Sequence, residues 1–121
     1  MGVYRRVVSI GRANHSSLIG AVTGAFATLP ALVTAIMSAG AGHGDYIAAR
    51  LLFPLSMLLS WVEGSGVGPL GMMAGLLQFP LYGVLVARAL KTGPDRAAIV
   101  AAAAHLTAVI ACFGGLLPDF A

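Results

Sequence analysis

Residues 45–63 read DYIAARLLFPLSMLLSWVE, and the path of this stretch decides the fold. It is apolar between two carboxylates, Asp45 and Glu63, yet it carries Arg50 and Pro54. Taken as one helix, its ends lie about five turns and about 27 Å apart at 1.5 Å per residue. That is close to the ~30 Å hydrocarbon thickness of a bilayer. Asp45 and Glu63 then share a helix face, and each marks one membrane border. Arg50 lies about a turn and a half inside and snorkels to the interface. This reading predicts a full crossing. The alternative is a segment that dips into the membrane and returns.

Outward from this stretch lie three further apolar segments. The expected helices are 17–39, 45–62, 69–90 and 97–117, within a single transmembrane domain, 1–121. A spanning helix needs about 20 apolar residues. The connectors are short and rich in helix-ending residues: Gly40-Ala41-Gly42-His43-Gly44, Gly64-Ser65-Gly66-Val67-Gly68 and Thr92-Gly93-Pro94-Asp95. Such tight connections imply antiparallel neighbours. The predicted fold is an all-α integral membrane protein, a compact four-transmembrane-helix bundle. The alternative fold is three spanning helices plus a re-entrant second segment.

Composition sets the class. The 121 residues are 59% hydrophobic and 9% charged, against a usual charged share of about 25%. Mean hydropathy is +0.93. A small soluble domain has too much surface to cover with eleven charged residues, and disorder needs the opposite composition. The net charge of +3 forms no basic stripe, so nucleic acid is not an expected partner. The single cysteine, Cys112, has no intrachain disulfide partner and reads as a buried thiol.

Arg5, Arg6 and Arg12 precede the apolar run Leu18 to Met37, and small residues follow it. The layout imitates a signal peptide, but the run exceeds the roughly 7–15 residues of such a region. It reads as a retained first helix. With four crossings the basic residues divide three against four, which sets no orientation. A re-entrant second segment makes the division six against one, with the N-terminus cytoplasmic.

Each expected helix has a face of small or polar residues. Gly20 and Gly24 form one G-x-x-x-G pair, and Gly71 and Gly75 form another. Small residues let helix backbones approach where lipid is as apolar as leucine. These glycines are the helix-packing candidates. Pro30, Pro54 and Pro80 fall within the expected helices and predict kinks.

Gln78 and His105 are the polar residues nearest the bilayer centre. In antiparallel neighbours His105 falls level with Tyr82, with Gln78 one turn deeper. Polar groups at that depth face protein or a wet cavity, so Gln78, Tyr82 and His105 are pore or polar-cluster candidates. The alternative for the same residues is an interhelical hydrogen bond. Asp45 and Glu63 are pore-mouth candidates, because carboxylates there attract cations. Both also suit helix ends. His43 and Asp45 offer one nitrogen and one oxygen, which is weak as a metal site, and Asp45 more simply caps a helix. No metal site and no cofactor is expected.

No H-E-x-x-H, G-x-S-x-G, P-loop or nucleotide-fold glycine motif occurs. The expectation is a non-enzyme of a bacterial inner membrane, an oligomeric channel or small transporter with a polar midplane cluster. The alternative function is a structural or accessory subunit that docks another membrane protein through its small-residue helix faces. The expected partners are the lipid bilayer and either further copies of the chain or such a membrane protein.

Overall fold

A computed structural model describes residues 2–40, 44–64, 66–115 and 117, with the backbone alone for 2–13. The described residues are helical, without strands. In chain order the helices are α1 (Gly2–Ala39), α2 (Ile47–Leu52), α3 (Pro54–Glu63), α4 (Pro69–Thr92) and α5 (Arg96–Phe113). Three are long and apolar enough to cross a membrane: the Asn14–Ala39 part of α1, then α4, then α5. Their outward faces are bulky and exposed, as at Phe26, Leu76, Leu81, Leu106 and Ile110. Such surfaces belong in lipid, and an integral membrane location follows.

The first helix begins well before the expected residue 17. Its 38 residues measure about 57 Å at 1.5 Å per residue, longer than the hydrocarbon core. Pro30 lies inside it. Thr34 donates its hydroxyl proton to the Pro30 carbonyl at 2.7 Å.

α1 and α4 pack closely and run antiparallel. Gly20 faces Gly83 and Ala87, while Gly24, one turn later, faces Phe79 and Pro80. A Cβ at Gly24 would lie 2.7 Å from the Phe79 carbonyl carbon, and one at Gly83 would lie 2.7 Å from that of Gly20. Neither helix can carry a side chain there at this separation. Gly83 matters as much as the expected pair. Its spacing continues the 71–75 series by fours, through Phe79 to Ala87.

The second segment departs from the single helix expected at 45–62. It is two short helices joined at Phe53, whose backbone (φ −128°, ψ 50°) is not helical. At 1.5 Å per residue they measure about 9 and 15 Å, each short of a bilayer. Pro54 is the cause. It has no N–H for the Arg50 carbonyl, and it is favourable as the first residue of a new helix. Pro54 therefore opens α3 instead of kinking a continuous helix.

The direction also differs from expectation. Ser38, in the last turn of α1, bonds Asp45 at 3.0 Å. Glu63 bonds the first turn of α4. Because α1 and α4 are antiparallel, these two places lie at one end of the molecule. Between them the chain descends to Leu52, level with Gln78, then returns past Gly75 and Gly71. Asp45 and Glu63 therefore share one end and do not mark opposite borders. The second segment is a helical hairpin with its tip at Leu51–Pro54.

The hairpin's inner side supplies the core. Ala31 and Ala35 of α1, Ala49, Phe53 and Met57 of the hairpin, and Cys112 of α5 form one buried cluster. Cys112 is a free thiol, 1% exposed, that donates to the Pro54 carbonyl at 3.5 Å. α5 packs on the hairpin and α4, and among the described residues it does not meet α1.

Overpacking a tight contact costs about 1–3 kcal/mol. Gly83→Leu should therefore lower the thermal midpoint of the detergent-solubilised chain. Ala104→Leu, on the exposed side of α5, should change stability by less than about 0.5 kcal/mol. Equal midpoints for the two variants would show that the α1–α4 contact is not close-packed.

Candidate functional site

Interrupting a helix leaves carbonyls without amide partners. In α2 the last regular bond runs from the Phe53 amide to the Ala49 carbonyl at 2.9 Å. The Arg50 carbonyl would next meet Pro54, which has no N–H, and the carbonyls of Leu51 and Leu52 would receive the amides of Leu55 and Ser56, but those residues already belong to α3. Two side chains from neighbouring helices replace them. Gln78 Nε2 donates to the Leu52 carbonyl at 2.6 Å. His105 Nε2 lies 3.1 Å from the Leu51 carbonyl. Tyr82 Oη lies 2.8 Å from His105 Nδ1.

These contacts assign the tautomer of the neutral ring. A carbonyl only accepts, so His105 carries its proton on Nε2. Nδ1 is then the acceptor, and Tyr82 donates its hydroxyl proton. The same logic orients the Gln78 amide, with nitrogen toward Leu52 and oxygen away. Gln78 is 3% exposed, and its Oε1 is buried with no hydrogen-bond partner.

Tyr82 and His105 thus meet directly, while Gln78 joins them only through adjacent hairpin carbonyls. Aromatic rings line the same level. Phe53 and Phe79 stand edge to face at 5.4 Å, Phe79 and Tyr82 at 6.3 Å, and Tyr82 and His105 at 5.5 Å. Edge-to-face rings at these distances add directional attraction to burial. The Leu51 and Leu52 carbonyls were not among the sequence candidates. Pro54 signals that a carbonyl is freed nearby, but not which side chains receive it.

Both carboxylates at the hairpin's base act as caps. Glu63 accepts the amides of Gly68 and Gly71 on Oε2, each at 3.1 Å, and of Leu70 on Oε1 at 2.9 Å. It holds the N-terminus of α4, where the helix dipole favours negative charge. Asp45 accepts from the Ile47 amide and the Ser38 hydroxyl, each at 3.0 Å. The Ile47 amide first, and the Ser38 hydroxyl second, hold the Asp45 carboxyl below its ordinary range.

His43 lies outside the described residues. Among those described, no group of three or more His, Cys, Asp or Glu is placed to hold a metal. The glycine candidates are used inside the chain: Gly20 and Gly24 against α4, Gly71 against the Ser56 carbonyl, and Gly75 against Ser56 Oγ and Phe53.

Two apolar clefts flank the hairpin tip. The first, about 390 Å³, lies on the hairpin's base side among α1, the hairpin and α4, with Thr28, Tyr46, Phe53, Ser56 and Gly75 in its wall. The second, about 580 Å³, lies between α4 and α5, with Gln78, Tyr82 and His105 at its deep end. No protein-family model, curated protein or solved structure matches the chain.

Removing the donor from a buried acceptor costs about 1–3 kcal/mol. Gln78→Leu should therefore destabilise the chain by that amount, because it leaves the Leu52 carbonyl unpaired in an apolar setting. Chemical or thermal unfolding in detergent measures this. An unchanged stability would mean that the Gln78 bond does not hold the hairpin tip.

Proposed function

We propose that the chain is a channel or small transporter built on three spanning helices and a re-entrant hairpin, with Gln78, Tyr82 and His105 at its constriction. The observation that carries this reading is the interruption at Phe53–Pro54. Non-helical backbone at membrane depth is tolerated where protein buries it or where it lines a cavity. Broken helices at such depth are the feature by which transport sites are built in many membrane proteins. Here the break lies between two clefts, one on each side of the tip.

Charge distribution supports the topology. Residues 5, 6 and 12 belong to the N-terminal end of α1, which shares an end with the α4–α5 turn and its Arg88, Lys91 and Arg96. Arg50 alone is in the hairpin, so the division is six against one. That favours a cytoplasmic N-terminus. The hairpin then enters from the opposite side. The four-crossing arrangement lacks this bias.

The accessory reading relied on glycine faces open to a partner. Gly20, Gly24, Gly71 and Gly75 already pack within the chain, which counts against docking through them. A bacterial inner membrane and self-association remain part of the proposal, the latter because so short a chain encloses little volume alone.

Cysteine labelling from each side of the membrane tests the topology. In a Cys112→Ala background, Ile47→Cys and Val67→Cys should label from one side and Lys91→Cys from the other. Labelling of positions 47 and 67 from opposite sides would restore the four-crossing bundle.

Flux through the purified protein in liposomes tests the activity. Ions, protons and small neutral solutes should each be assayed, beside His105→Ala. The expected outcome is flux by the wild type that falls severalfold in the variant. No flux for any solute would overturn the transport reading in favour of an accessory role.

A further inference from the structure

The cleft between α4 and α5 has a chemistry that selects among ligands. Its walls are apolar: Leu85, Val86 and Ala89 of α4 face Ala98, Ala101 and Ala102 of α5. Val86 is 57% and Leu106 61% exposed at its edges, so the space communicates with the lipid-facing surface. Alanines on α5 leave the volume open, because larger side chains there would fill it. A hydrated ion gains nothing from such walls.

The deep end is polar, and its unused capacity is mainly that of acceptors. Three donors are engaged: Gln78 Nε2 gives one N–H to Leu52, His105 Nε2 its proton to Leu51 and Tyr82 its hydroxyl to His105, which leaves a single N–H of Gln78. Acceptors outnumber it, namely the buried, unpartnered Gln78 Oε1 and the second lone pairs of Tyr82 Oη and the two carbonyls. A ligand that ends here gains most by bringing a donor. It must also be neutral, because no carboxylate lines the cleft and an unpaired cation at membrane depth is costly.

We infer that this cleft binds a neutral, membrane-soluble molecule with an apolar body and one hydroxyl or N–H donor, the donor seated against the hairpin tip. The inference rests on the membrane-transport reading above and names the class of its cargo. The apolar body replaces lipid between α4 and α5, and the donor meets the acceptors grouped at the hairpin tip. A lipid acyl chain fills the same walls but offers no donor.

The test is equilibrium binding to the full-length chain in nanodiscs, read by the fluorescence of two probes. 1-Naphthol carries a donor, and 1-methoxynaphthalene has a similar body without one. The expected result is saturable binding, with 1-naphthol about three- to tenfold tighter. Ala101→Phe should fill the cleft and weaken both probes at least about tenfold. Ala98→Leu serves the same purpose if the first variant fails to fold. Equal affinity of the two probes, or affinities unchanged in a folded cleft-filling variant, would overturn the inference. Binding is read without flux, so a chain that binds 1-naphthol but transports nothing would sink the transport reading and leave the ligand class standing.

Discussion

The carbonyls freed at the hairpin tip are the constraint on which the rest of the structure depends. In water such groups would simply be hydrated. In a bilayer each unpaired group is costly, so the break in the second segment is viable only if other helices bring donors to it. Gln78 of α4 and His105 of α5 do so, at the Leu52 and Leu51 carbonyls. Tyr82 then fixes the ring of His105. The Cys112 thiol reaches the next carbonyl but one, at Pro54. The deep polar residues of two separate spanning helices are thus organised around one defect in a third element.

The hairpin needs room as well as donors. Glycine provides it on both sides of α4. Gly71 and Gly75 admit the backbone and Ser56 of α3, while Gly83 admits α1 at Gly20. α4 is therefore the element on which both α1 and the hairpin seat, and it brings small residues to each. α5 uses alanine in the same spirit but leaves the cleft beside Tyr82 and Val86 open. The acidic residues complete the arrangement at the hairpin's base, where Asp45 ties the entry to Ser38 and Glu63 ties the exit to the start of α4. Both carboxylates are thereby occupied as caps, and they serve the hairpin's shape more directly than a pore mouth.

Much of this was legible in the sequence. Composition alone places the chain in a membrane, because eleven charged residues among 121 cannot solvate a domain. Length and apolarity locate the three long helices, and the antiparallel turn at Thr92–Asp95 puts His105 level with Tyr82. Glycine spacing picks out Gly20, Gly24, Gly71 and Gly75 as contact positions. These features depend on residue type and on the helical repeat, both of which are local.

The path of residues 45–63 was decided only by tertiary structure. A proline in an apolar segment is compatible with a kinked crossing or with a break, and the distance from Asp45 to Glu63 matches a bilayer in the first case. Which occurs depends on whether donors and space are available at the height of the break, and these come from Gln78, His105, Gly71 and Gly75, on elements distant in sequence. The same reason hides Gly83, whose importance exists only because Gly20 of another helix meets it. Sequence by itself determined the solvent this protein occupies and the helices long and apolar enough to cross it. Tertiary structure decided where the second segment turns back, because an unsatisfied carbonyl in lipid is resolved by whichever neighbour can reach it.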